Sequence, residues 1–289
     1  MPLDIGRYRA HALLDGTFAL DGGAMFGVVP KTLWQKHLPA DDKNRVKLAL
    51  RCLLLVEQGR GDAGRKILVD CGIGEQWSPR LREIYAIERK GGLEARLAEL
   101  GLVPEQITDV IVSHLHFDHV GGATLRSPEG ALRLAFPRAT HHVQRRNWTW
   151  AHHPTERDRA SYLAETFAAL EGSGKLHLIE GDTELLPGVF VTVSEGHTVG
   201  CQLVRVEGAG GSGPLVFAAD LVPTSAHMRP SWHMAYDLYP LTILEEKRLF
   251  LAQALEEKAV LAFAHDPRVA AVRLREDEGD VAIAEVVDL

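Results

Sequence analysis

The sequence predicts an α/β fold, one domain over residues 1–289 built of two similar halves, and three observations predict it. Short apolar runs that end in polar residues, the pattern of buried strands, alternate with segments whose apolar positions recur at helical spacing. That strand–helix alternation repeats roughly once along the chain. No linker and no shift of composition interrupts it.

Composition bounds the rest. With 46% hydrophobic and 25% charged residues in 289 positions, the chain has ample material for a core. A net charge of -7 without a dense Lys/Arg run argues against a nucleic-acid partner. Cys52, Cys71 and Cys201 are scattered and odd in number, which suggests a reducing compartment and no disulfide framework. The amino terminus lacks the basic-then-apolar layout of a signal peptide. No apolar run is long enough to span a bilayer, so a soluble cytoplasmic protein without a membrane partner is expected. The sequence admits a homodimer.

In chain order, Ala12 to Leu20 reads as a strand and Asp21 to Lys31 as a long loop folded back over something. Met25, Phe26 and Trp34 there either cap the fold or wall an apolar pocket. Cys52–Val56 and Lys66–Asp70 read as paired strands joined by the turn Gly59 to Gly64. Leu93 to Leu100 is a helix with one apolar face, closed by Gly101. Asp109–Val112 is a buried strand, and Ala139–Val143 another. The aromatic stretch from Trp148 to Pro154 and a polar-faced helix from Glu156 to Leu170 follow. Leu176–Glu180 and Val189–Val193 are strands. Tyr239–Pro240 opens a long amphipathic helix through Glu257, with Leu244, Leu251 and Leu255 on one stripe. Val260–Ala264 is a strand, and strands are expected again between Val272 and Val287.

The stretch that organises this pattern is Ser113-His114-Leu115-His116-Phe117-Asp118-His119-Val120-Gly121-Gly122. It holds three histidines and an aspartate in the order H-x-H-x-D-H, directly after a strand. In extended chain, residues i and i+2 project to one side, so His114 and His116 can aim at one point. Asp118 and His119, past the bend, can aim at a second. Lone histidines are usually satisfied core or surface residues, but four candidate ligands packed this closely point to metal. Their donor set suits zinc, and also iron, manganese or cobalt. The pairs His141–His142 and His152–His153 have no further ligand candidates at suitable spacing and read as surface or pocket-rim residues.

The motif resembles the signature of the metallo-β-lactamase superfamily of dinuclear metallohydrolases, whose fold is an αββα sandwich. Downstream, His197 in Glu195-Gly196-His197, Asp220 at the end of Pro214–Asp220, and His265 after Val260–Ala264 stand where the superfamily places its further ligands. The resemblance implies two divalent metal ions. His114, His116 and His197 would hold one, Asp118, His119 and His265 the other, and Asp220 would bridge them. A hydroxide shared by such metals is a nucleophile at neutral pH. Asp118 would also pass a proton to the leaving group. Asp70, at the end of its strand, would support the metal loops by hydrogen bonding rather than as a ligand.

Within the superfamily, Asp220 stands where the commonest zinc β-lactamases use Cys. His116 stands where flavodiiron enzymes carry Glu. The tail after His265 lacks the helical segment of glyoxalase II, and no basic RNA-binding module is present. The remaining resemblance is to N-acyl homoserine lactone lactonases, particularly the YtnP-like branch, and to methyl parathion hydrolase-like enzymes. It rests on Asp21–Pro30, Glu156-Arg157-Asp158-Arg159 and the segment from Asp220 through Trp232 to Pro240. One departure is Pro223, where the lactonases place a substrate-contacting Tyr; His227, His233 and Tyr236 are the candidate replacements. The resemblance implies a lactonase or carboxyl-ester hydrolase for a small, neutral, partly apolar substrate. Met25, Phe26, Trp148, His227, His233 and Tyr236 are the candidate pocket residues. An organophosphate or phosphodiester hydrolase is the alternative, and a non-catalytic metal-binding sensor the third reading.

Overall fold

Apolar side chains on alternate positions of the strands give each sheet a buried face, and two such faces meet. In the computed structural model, which describes residues 2–289, the first sheet begins with β1 (Leu3–Ile5), β2 (Tyr8–Asp21), β3 (Arg45–Glu57), β4 (Lys66–Val69) and β5 (Asp109–Ile111). A separate hairpin of β6 (Thr124–Arg126) and β7 (Leu132–Leu134) intervenes, and β8 (Thr140–Gln144) and β9 (Leu176–Ile179) complete the sheet. The second sheet runs β10 (Thr183–Leu186), β11 (Val189–Ser194), β12 (Cys201–Val206), β13 (Leu215–Phe217), β14 (Val260–Ala262), β15 (Ala271–Asp277) and β16 (Asp280–Val287), in that order. Leu53, Leu55, Val69 and Ile111 of the first sheet share one core with Val191, Val204, Phe217 and Leu261 of the second.

Helices cover the outer faces. Of α1 (Gly22–Phe26), α2 (Lys31–Trp34), α3 (Pro79–Ile84), α4 (Gly92–Glu99), α5 (Phe117–Val120) and α6 (Arg145–His152), the helices α4 and α6 bury Leu93, Leu97 and Ala151 against Leu54, Leu68 and Val110 of the first sheet. On the second sheet α7 (Pro240–Glu256) buries Ile243, Leu251 and Ala254. The expected helix–sheet–sheet–helix layering is therefore observed. Among the described residues, no helix is long and apolar enough to cross a membrane.

The first sheet turns from antiparallel to parallel pairing at β4, and the second holds one parallel pair among antiparallel ones. β4 and β5 run parallel, as do β13 and β14. Parallel neighbours deliver their C-terminal ends to the same edge, where side chains from successive loops converge.

Two expectations are corrected. Asp21–Lys31 is not an irregular loop, because the Asp21 carboxylate accepts from Ala24 N–H (2.9 Å) and caps α1. Glu156–Leu170 is not an α-helix but turns and two 3₁₀ segments, Ala164–Thr166 and Ala168–Leu170. Helix propagation fails at Ser161, whose carbonyl accepts from Phe117 N–H (2.9 Å) instead of from a residue one turn on. The Asp158 carboxylate meanwhile ties Thr155 N–H (2.8 Å) and Trp150 Nε1–H (2.6 Å) into a local knot.

A β-bulge in β2 between Leu14 and Gly16 turns Asp15 into the interior. Its carboxylate accepts from Ile73 N–H (3.1 Å), Leu93 N–H (3.0 Å) and the Arg89 guanidinium (2.7 Å), tying four segments together beside the loop that follows β4. The Arg89 and Asp15 side chains are 4% and 0% exposed. Arg89→Ala strands a buried carboxylate, and a loss of about 3–5 kcal/mol in chemical denaturation is expected. A loss below about 1 kcal/mol, the scale of a surface pair, would show that this knot does not stabilise the fold.

Candidate metal centre

The edge at which the parallel strands end carries the convergent side chains. After β4 comes Asp70, after β5 comes Ser113 with the histidine motif, after β13 comes Asp220, and beyond β14 lies His265. His197 enters from the turn between β11 and β12. The motif can lie this close to the end of β4 because Gly121 and Gly122 lack side chains. A Cβ on either would stand 2.3 Å from the Ile73 carbonyl or 2.1 Å from that of Cys71.

His114, His116, His119, His197, His265 and Asp220 are all buried, and Asp118 is nearly so. Their donor atoms fall into overlapping groups: His114, His116 and His197; His114, His119 and Asp220; Asp118, His119 and His265. In the first, His116 Nδ1 lies 3.0 Å from His114 Nε2 and 3.1 Å from His197 Nε2. In the third, His265 Nε2 lies 3.0 Å from His119 Nε2 and 3.5 Å from Asp118 Oδ2. Asp220 spans the two, with Oδ2 3.3 Å from His197 Nε2 and Oδ1 3.3 and 3.2 Å from the Nε2 atoms of His119 and His265.

The outward ring nitrogens of His114, His119, His197 and His265 are occupied by acceptors, which sets their tautomers. His119 Nδ1–H donates to Asp70 Oδ2 (2.8 Å), His197 Nδ1–H to Asp237 Oδ1 (2.8 Å), and His265 Nδ1–H to the Ala49 carbonyl (2.8 Å). Ser113 Oγ–H donates to Asp70 Oδ2 (2.8 Å), and its oxygen receives His114 Nδ1–H (3.1 Å). Where a ring is neutral, its inward nitrogen therefore presents a lone pair to its neighbours, an arrangement that only a positive charge between them makes favourable. The surrounding charges divide the rings. Burial, with the neighbouring histidines adding to it, pushes His114 and His116 well below the usual imidazole range. Burial acts the same way on His119, but Asp220, Asp118 and Asp70 outweigh it and hold that ring well above its usual range. Burial opposes ionisation of Asp220, yet His119, His265 and His197 hold it well below the ordinary carboxylate value. Among the described residues, Asp220 Oδ1 and His116 Nε2 are buried without a hydrogen-bond partner. These donors fit divalent metal ions.

Two carboxylates that the sequence did not single out complete the frame. Asp237, besides holding His197, accepts from Met234 N–H (2.8 Å). Glu246, on α7, accepts from Glu195 N–H (2.8 Å), Gly196 N–H (3.2 Å) and Ser194 Oγ–H (2.7 Å), and so fixes the turn that carries His197. Nothing local in the sequence marks Glu246, because its role exists only once α7 lies on the second sheet.

A cavity of about 110 Å³ opens beside the cluster. Its apolar wall is Phe18, Leu20, Met25, Leu48, Phe117 and Met234, and Tyr85 and Tyr236 line it as well. A second, polar cavity of about 100 Å³ shares His116, His197, Ser161 and Tyr236 with it and is rimmed by exposed Arg157 and Ala235. Among the candidate pocket residues, Met25 and Tyr236 line the first cavity, and Phe26, Trp148, His227 and His233 do not. Phe26 is fully buried, stacked between Trp34 (5.2 Å) and His227 (4.6 Å). His227 has both ring nitrogens engaged, with Thr224 Oγ1 (2.7 Å) and the Met25 carbonyl (2.8 Å). Trp148 packs on Phe167 and His152 outside the first sheet. His233 lies over the Met234 carbonyl at 3.2 Å, and Trp34 belongs to the cap core. Pro223 is buried, and its carbonyl accepts from His265 N–H (3.0 Å). His141 and His142 are buried within β8 rather than at a rim, with His142 bonded to His177 (2.9 Å) and Asp109 (3.1 Å). His152 and His153 are exposed.

Fold and site together define a class, and comparison with known proteins agrees: the chain belongs to the metallo-beta-lactamase superfamily, which it matches over residues 52–265. A probable metal-dependent hydrolase from Staphylococcus aureus is 30% identical, with a TM-score of 0.87 and 99% and 100% of the two chains covered. An N-acyl homoserine lactonase from a Bacillus species is 32% identical over 170 residues, 59% of this chain and 60% of that relative's length. A dizinc quorum-quenching lactonase has a TM-score of 0.78 at 21% identity, covering 100% and 98% of the chains, a likeness of fold.

Carboxylates behind ligating histidines tune affinity through ring orientation and basicity. Asp237→Asn should therefore weaken zinc binding by about 10–100-fold in competition with a chelator. His152→Ala, on the exposed end of α6, should leave it unchanged. A metal loss on His152→Ala would overturn this sorting of the histidines.

Proposed function

We propose that the chain is a dinuclear metal-dependent hydrolase of lactones or carboxyl esters, with zinc the expected metal and residues 1–289 acting as one catalytic domain. The observation that carries the proposal is Asp220, whose two oxygens face two separate groups of histidine donors beside an apolar cavity. His114, His116 and His197 would hold one ion, and Asp118, His119 and His265 the other. When bound, such ions supply Lewis acidity toward a carbonyl oxygen and make water a nucleophile near neutral pH.

The remaining roles belong to this chain's own residues. Phe18, Leu20, Leu48, Phe117 and Met234 take up the apolar part of the substrate and exclude water. Asp118, which lines the cavity and accepts no hydrogen bond among the described residues, would carry a proton to the leaving oxygen. Asp70, Asp237 and the Ala49 carbonyl hold the imidazoles in one tautomer throughout. The lactonase-type substrate draws support from the relatives named above and from the neutral, apolar wall.

Two tests follow. Elemental analysis after zinc reconstitution should find about two equivalents per chain, since seven donors exceed the four ligands of one tetrahedral zinc. Stripping the metal with a chelator should abolish turnover of a panel of lactones and aryl esters, and re-addition should restore it. At most one equivalent, or preferential turnover of phosphotriesters, would refute the proposal in its metal count or its substrate. Met234→Ala should lower kcat/KM for a long-chain lactone more than for a short-chain one, because each methylene that loses contact forfeits about 0.8 kcal/mol. Equal losses for both chain lengths would remove Met234 from the acyl wall.

A further inference from the structure

A side-chain hydroxyl that lines a cavity without a protein partner is informative even where it is only half-buried. Tyr8 donates to the Pro187 carbonyl (2.9 Å), and Tyr162 shares a hydrogen bond with Thr198 (2.6 Å). Tyr85 and Tyr236 differ. Both line the apolar cavity, and among the described residues neither hydroxyl has a hydrogen-bond partner. Apart from the small Ser161, they are the neutral hydroxyl donors of a wall that is otherwise apolar or made of the clustered histidines and carboxylates.

Tyr85 is the better fixed of the two. It follows α3 directly; its N–H donates to the Leu81 carbonyl (2.9 Å) and its carbonyl accepts from Ala19 N–H (2.7 Å), which pins the residue to β2. Its ring is wedged against Trp77 (5.7 Å) and Phe117 (5.4 Å). Phe117 immediately precedes Asp118, so the phenol stands beside the cluster. Tyr236, by contrast, is 36% exposed at the mouth. Burial, with the charge of Asp118 behind it, raises the Tyr85 pKa, so the hydroxyl keeps the proton that it would donate.

A donor fixed through its backbone and its ring, facing a largely apolar cavity and bonded to none of the described residues, is preorganised for an acceptor that arrives with the ligand. We propose that Tyr85 is a catalytic residue that donates a hydrogen bond to the acyl oxygen of the substrate, while Tyr236 contacts the same molecule from the mouth. This assignment rests on the hydrolase reading above and adds the group that selects for an acceptor oxygen at the reacting centre. No proton is transferred; the hydrogen bond strengthens as that oxygen gains charge.

The test is Tyr85→Phe in the zinc-loaded enzyme. The deleted hydroxyl bonds to none of the described residues, so Tm and zinc content should not move. For a lactone, kcat/KM should fall by about 10²–10³-fold, the range for removing one donor to a developing oxyanion, mostly in kcat. Tyr236→Phe should raise KM and spare kcat. A fall of less than about threefold for Tyr85→Phe would overturn the assignment, because an unused hydroxyl costs less than a single net hydrogen bond. A fall accompanied by lost zinc or a lower Tm would overturn it too, as would a large kcat loss confined to Tyr236→Phe. If the wild-type enzyme turns over no lactone or ester, the hydrolase reading fails on its own. Octanoate binding by calorimetry then decides on Tyr85, with affinity weakened several-fold in Tyr85→Phe supporting the hydrogen bond and equal affinity refuting it.

Discussion

Packing imidazoles and carboxylates this densely away from water is unfavourable unless each outward atom is bonded and each inward atom faces opposite charge. Asp70 meets that demand for one half of the cluster. Its two oxygens accept from Ser113 N–H (2.7 Å), Ser113 Oγ–H and His119 Nδ1–H, so one carboxylate orients the motif's first and last histidines at once. Asp237 and the Ala49 carbonyl do the same for His197 and His265, each reaching across from a different part of the chain. The site is thus over-determined from outside before any ion enters it. The backbone bends to achieve this: Asp70 (φ 60°) and Ala219 (φ 44°), beside Asp220, both sit in the left-handed region that side-chain-bearing residues avoid.

Much of this was legible in the sequence because strand ends and their polar residues are local features. His114, His116, Asp118 and His119 fall in one window, and Asp220 and His265 each follow an apolar run that reads as a strand. The alternation of elements likewise revealed two halves, and the resemblance of the motif supplied the layering. The wall of the cavity was not legible. Phe26 and Phe18 look equally suited to it in sequence, but Phe26 stacks into the cap core while Phe18 faces the cluster, its ring tilted 60° to that of His265 with centroids 5.7 Å apart. Which way a ring points depends on what closes over it, and here that is Trp34 and His227 for one and the open cavity for the other. Tyr85 carried no signal, since its place in the cavity wall depends on the end of α3 being pinned to β2.

The helix expected over Glu156–Leu170 teaches the same lesson at the level of secondary structure. Its polar and apolar positions suit a helix, but the motif needs the Ser161 carbonyl for Phe117 N–H, and the side chain of Asp158 competes locally for the same backbone. Tertiary demand at the site overrides propensity there. The irregular path that results supplies Ala160, Ser161 and Arg157 to the two cavities, which a regular helix would not have brought together.

Those two cavities meet at His116 and His197 and differ in character, one walled by hydrocarbon and the other rimmed by Arg157. At that shared corner a bound molecule meets two unlike surroundings at once: a hydrocarbon part is favoured on the side of Phe18 and Met234, a polar part on the side of Ser161, Arg157 and Asp158. Orientation there is decided by partition between the two sides, without any moving part.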